Sequence, residues 1–214
     1  MEKYLAPNPE AVKIALRSML EFRHRWDQPP ELGTIYSTDD GTVTTRDIPI
    51  PERLWEQSGH PKNLLRGLAR ALHQRGTSNS AQSVADLPAM VPDNLCGLYL
   101  VVEGWTLPQA ELQEAHRRTR ETGAPMPRFE ENPRRVETRM VNAVDSAGWK
   151  YFAQNVRGQR EIMLMNESEI NREQVISGAI PALLWDLVTG FTPGARRRAA
   201  PPKGYVSHTF RNQP

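Results

Sequence analysis

The chain has 214 residues, 38% hydrophobic and 24% charged, with 27 Lys and Arg against 25 Asp and Glu. These proportions fit one folded, loop-rich domain with a single sizeable core, and they exclude wholesale disorder. The longest unbroken apolar run, Leu98 to Val102, excludes a membrane-spanning helix, and the lone Cys96 excludes an intrachain disulfide.

The charge is unevenly spread. Arg196, Arg197, Arg198, Lys203 and Arg211 follow the last acid, Asp186, so the 22 preceding bases face all 25 acids and the body is slightly acidic. Residues 1–192 are therefore expected to form a single domain, and residues 193–214 a disordered basic tail. The first sixteen residues contain no apolar h-region, so no export signal is expected, and a reducing cytoplasm suits the single thiol.

In chain order, Asn8 as N-cap and Pro9 at the first helical position predict a helix carrying Val12, Ala15, Leu16 and Met19 inward and ending near Arg25. LGTIYS and TVTTRDI, on either side of Asp39, Asp40 and Gly41, predict a hairpin stopped by Pro49 and Pro51. Residues 61–75 then predict an amphipathic helix with Leu64, Leu65, Leu68, Ala69, Ala71 and Leu72 on one side. Its other side carries Lys62, Arg66, Arg70 and His73, and no acid occurs between Glu56 and Asp86.

A flexible loop is expected over residues 76–90, beginning with the low-complexity GTSNSAQS. CGLYLVVEGWTL predicts a central strand, with Cys96, Leu98, Leu100 and Val102 on its fully apolar face. A polar helix after Pro108 and a Pro-rich connector over 123–133 follow. RVETRMVNAVD, WKYFAQNV and EIMLM predict an antiparallel meander. A last helix is expected to carry Pro181 at its first position, to stop before Gly190, and to face the sheet with Leu183, Leu184, Leu187 and Val188. The class is α+β: an antiparallel sheet of five or six strands with three to four helices packed mainly on one face.

No recognisable catalytic signature accompanies this pattern. GxSxG, P-loop and GxGxxG sequences do not occur, and the five histidines and Cys96 lack metal-ligand spacing, so no catalytic residue, cofactor or metal is expected. Glu103, Glu137 and Arg139 fall in predicted strands, where cross-strand ion pairing accounts for them more simply than acid–base chemistry. The candidate contacts are Lys62, Arg66, Arg70 and His73 on the basic helix and Arg196, Arg197, Arg198 and Lys203 in the tail. Like charges spaced by four destabilise an isolated helix, so either acids elsewhere in the fold or a partner must compensate them. The expectation is a non-catalytic protein that binds another protein. The alternative is nucleic-acid binding through helix 61–75 and the tail, and the third reading is an enzyme without a familiar motif.

GLYLVVEGW at 97–105, RVETRMVNAVDSAG at 135–148 and GAIPALLWDL at 178–187 resemble segments of uncharacterised small proteins encoded by phages of actinobacteria. The resemblance covers the second half of the chain and carries over no functional residue. It implies a cytoplasmic accessory protein acting inside a host cell, with a host or phage protein as its partner.

Overall fold

The computed structural model describes residues 7–73, 91–167 and 178–191. The expected loop at 76–90 lies wholly outside these residues, and so does the whole expected tail, 193–214. Five α-helices occur among the described residues: α1 (Pro9–Phe22), α2 (Glu52–Ser58), α3 (Pro61–His73), α4 (Gln109–Thr122) and α5 (Ala179–Phe191). The strands are β1 (Glu31–Ser37), β2 (Val43–Asp47), β3 (Leu95–Thr106), β4 (Val136–Asp145), β5 (Lys150–Val156) and β6 (Ile162–Asn166). They form one antiparallel sheet in the order β2-β1-β3-β4-β5-β6, which ends in the expected C-terminal meander.

The sheet separates two apolar clusters. On one face Leu65, Leu68 and Leu72 of α3, Leu184, Leu187 and Val188 of α5, and Trp55 of α2 pack with Leu32, Leu98, Leu100 and Val144. On the other face α1, alone among the described helices, places Val12, Leu16 and Leu20 against Ile35, Tyr99, Val101, Val141, Tyr151 and their neighbours. Three helices thus share one face, while α1 touches β5, β6 and the opposite edge strand, β2. Since both edges of the sheet reach one helix, the sheet curls around α1. α4 buries none of its residues and stays at the periphery, tied by the Glu111–Arg134 ion pair at 2.9 Å.

Four local expectations need correction. α1 stops at Phe22, short of Arg25: the backbone leaves helical geometry at Arg23, ψ 80°, and the carbonyls of Arg23 and Arg25 turn to the Arg139 guanidinium. Cys96 does not share a face with Leu98. Ile35 pairs with Gly97 but Tyr36 with Leu95, so Cys96 is the extra residue of a bulge that turns it toward Tyr99 and Val101. α5 begins two residues before Pro181, whose missing N–H falls in the first turn where no helical acceptor exists. It also runs through Gly190, where Leu72 of α3 comes within 3.4 Å of the place a Cβ would occupy. Finally, α2 is a helix that the sequence reading lacks: Pro51 occupies its N-cap and Gly59 closes it in the left-handed conformation, φ 65°.

Candidate functional site

Two surfaces carry candidate chemistry, and the first is the outer face of α3. His60 opens this helix, its Nδ1 accepting from the Lys62 N–H at 3.1 Å and its carbonyl from the Asn63 N–H at 2.9 Å. The buried Leu65, Leu68, Ala69 and Leu72 fix the rotation of the helix, which leaves Lys62 and Arg70 exposed and Arg66 partly so. No ion pair involves Lys62, Arg66 or Arg70 among the described residues. Lys62 also stands in the first turn, where the helix dipole disfavours a cation and where α3 supplies no acid. α4 handles its charge differently: Arg117 pairs with both Glu114 and Glu121 at 2.6 Å. His73 turns back on its own helix, with Nδ1 2.7 Å from the Ala69 carbonyl.

The second surface is an open groove of about 840 Å³ between α1 and β2. One wall is helical, with Ile14, Ser18, Met19 and Phe22; the other is strand β2; Arg23, Arg25 and Glu31 close one end. Beneath it lies a polar cluster. Arg23 pairs with Glu31, and the Tyr99 hydroxyl, buried within the sheet, donates to Asp47 at 2.5 Å. Burial, then a hydrogen bond shared with Asp47, pushes the Glu31 carboxyl up to about 7, and Arg23 only partly opposes the rise. The phenol of Tyr99 is driven well above its ordinary range by burial and by the same acid. A carboxyl that titrates near neutrality can serve acid–base chemistry, but a partly buried acid beside a second acid behaves in this way without any substrate.

Glu103 and Arg139 are direct cross-strand partners, as their strand positions suggested. Arg139 is 1% exposed, the largest fully buried side chain in the fold. Its Nε and Nη2 donate to Glu103 at 2.9 and 2.6 Å, its Nη1 to the Arg23 carbonyl at 2.5 Å, and its face covers the Trp26 ring at 4.5 Å. The other Glu103 oxygen accepts the N–H groups of Asp27 and Gln28. Asp27, Glu103 and Glu137 bring carboxylate oxygens within 4.8 Å of one another. Each acid of this trio is already engaged by a guanidinium, since Arg139 holds Glu103 and Arg157 is shared between Glu137 at 2.5 Å and Asp27 at 3.4 Å. It is a clamp that fastens the segment after α1 to the sheet.

The structure thus brings Lys62, Arg66 and Arg70 into one row, while Arg196, Arg197, Arg198 and Lys203 lie outside the described residues. The groove was not legible as a site. Its strand is polar, its helix looks like ordinary core, and only the juxtaposition of the two makes a cleft. Comparison of the chain with protein-family models, with curated proteins and with solved structures gave no match.

Proposed function

We propose that this is a non-catalytic binding protein that docks an acidic protein surface on the outer face of α3. The carrying observation is the row of Lys62, Arg66 and Arg70, which has no ion-pair partner among the described residues and no acid on its own helix, whereas Lys13 of α1 and Arg117 of α4 pair with acids one turn away. Surface bases kept apart from acids add to the field outside the protein, and that field steers an anionic partner. A protein partner is favoured over a nucleic-acid backbone because α2, packed against α3, exposes Glu52 and Glu56. Phosphate binding instead favours a continuous basic surface. From the resemblance to actinobacterial phage proteins, the partner is taken to be a phage or host protein encountered in the host cytoplasm.

The test is affinity capture from host lysate with the wild-type chain and with Arg66→Gln/Arg70→Gln, each before and after nuclease treatment, followed by mass spectrometry. The expected result is an acidic protein held by the wild type, lost by the variant and indifferent to nuclease, with the two proteins melting together. Equal retention by both proteins overturns the reading. Retention that nuclease abolishes would replace it with nucleic-acid binding, for which affinity should fall by about 0.9 log unit per log unit of salt for each phosphate contacted on B-DNA.

A further inference from the structure

Among the described residues the sheet ends at β2, and the groove lies along that edge. Register decides which backbone groups of β2 remain open. The Ile48 N–H bonds the Leu32 carbonyl and the Thr38 N–H bonds the Thr42 carbonyl. Strict antiparallel alternation between those two pairs turns Thr44 and Arg46 toward β1 and leaves the N–H and C=O groups of Val43, Thr45 and Asp47 pointing outward. Beside this open edge runs α1, whose Ile14 and Phe22 are 66% and 80% exposed, the two most exposed large apolar side chains among the described residues. They stand eight residues apart with Ser18 midway, so they share one helical face, and all three line the groove.

We infer that the β2 edge and this face of α1 form a docking groove for an extended peptide of another protein, apolar at alternate positions and acidic at one end, which adds to the sheet as a seventh strand. A sheet that already curls around α1 needs one more strand to cover Ile14 and Phe22. Backbone pairing supplies the attachment, and the alternate side chains of the incoming strand meet the helix, as in other β-augmentation grooves flanked by a helix. Charge selects the end. Glu31 is engaged by Arg23, and Asp47 accepts from Tyr99, whereas the exposed Arg25 and Arg46 side chains, which also line the groove, have no ion pair among the described residues. Asp47 keeps its charge, since the Tyr99 phenol is neutral, but with Arg23 and Glu31 paired the Arg25 and Arg46 guanidiniums outnumber that carboxylate, so the remaining charge of the groove is net cationic. Charged residues often protect a sheet edge from pairing, but Val43 and Thr45 leave the middle of this one uncharged, and a protected edge gains nothing from two exposed apolar side chains alongside.

The probe is a synthetic octapeptide of alternating Val and Thr with Glu at one end, made with the Glu at either end, and a twin of each with Lys in its place. Titration into the full chain is followed by amide NMR and by anisotropy of the labelled peptide. A Glu peptide should shift and protect the amides of Val43, Thr45 and Asp47 and bind about tenfold tighter than its Lys twin. Thr45→Pro removes an outward N–H without removing a bond to β1, so it should retain the fold and weaken binding by about tenfold or more. Ile14→Ser/Phe22→Ser, which leaves the strand intact, should weaken binding comparably. The inference is overturned if no Glu peptide perturbs these amides at millimolar concentration, or if binding survives both variants. It is equally overturned if the same amides shift with protein concentration alone, which would assign the edge to a second copy of the chain.

Discussion

Arg139 shows how one residue can fix the course of a distant segment. A guanidinium at 1% exposure is tolerable because all three of its nitrogens are bonded and one face is covered: the partners are the Glu103 carboxylate, two backbone carbonyls and the Trp26 ring. Those carbonyls belong to residues just past α1, so the side chain both ends the helix and directs the chain into Asp27, whose φ is +60°. Replacing Arg139 with Met should therefore cost about 3–5 kcal/mol, the usual consequence of leaving a buried acid without its partner. Urea unfolding should also show that adding Glu103→Gln to Arg139→Met costs less than the two single losses combined. Strict additivity would mean that the pair is not coupled. The Glu103–Arg139 contact was foreseeable from strand alternation, whereas the reach to Arg23 and Arg25, more than a hundred residues away in sequence, was not.

At the scale of elements, β1 and β3 meet through a missing side chain. A Cβ on Gly33 would lie 2.2 Å from the Tyr99 ring, so the ring rests on bare backbone. Gly33→Ala should destabilise the fold by about 1–3 kcal/mol through overpacking, and Tyr99→Leu added to it should recover part of that loss despite removing the hydroxyl bond to Asp47. Thermal melts of the two singles and the double will check the sign of the coupling. The elements that sequence reading found are those with local causes: Asn8 caps α1 by accepting from the Glu10 N–H at 2.9 Å, and the turns at Gly41 and Gly158 use positive φ of 83° and 82°. Its errors have tertiary causes. Gly190 looked like a terminator and is instead the point where α3 and α5 touch, and the bulge at Cys96 exists only because β1 pairs there. The basic face of α3 was legible from periodicity alone. The groove needed the β2 edge and α1 to be placed side by side, which no local pattern encodes.

For the molecule as a whole, two acids held within the sheet set the direction of its pH response. Asp145 is fully buried, and burial raises its carboxyl to about 6 despite bonds from the Tyr151 hydroxyl and from backbone N–H groups of the turn that follows. Glu31 is raised to about 7. A folded-state pKa above the unfolded value means that the fold prefers the protonated acid. The stability these groups contribute is thus complete below their ordinary values of 3.8 and 4.5, and it is lost as pH climbs through about 6 and 7. For Asp145 the loss is on the order of 2–3 kcal/mol. Asp40, lowered to about 2 by hydrogen bonds with Thr38 and Thr42, acts in the opposite sense only in strong acid, where its contribution disappears. The melting temperature should therefore fall between about pH 4 and about pH 7, from the ordinary to the raised values. Asp145→Asn should flatten the lower part of that decline and Glu31→Gln the upper part, because each variant removes one titration while retaining a polar side chain of similar size. A wild-type melting temperature that stays flat across this range would show that the two carboxyls ionise in the folded protein as they do in the unfolded chain.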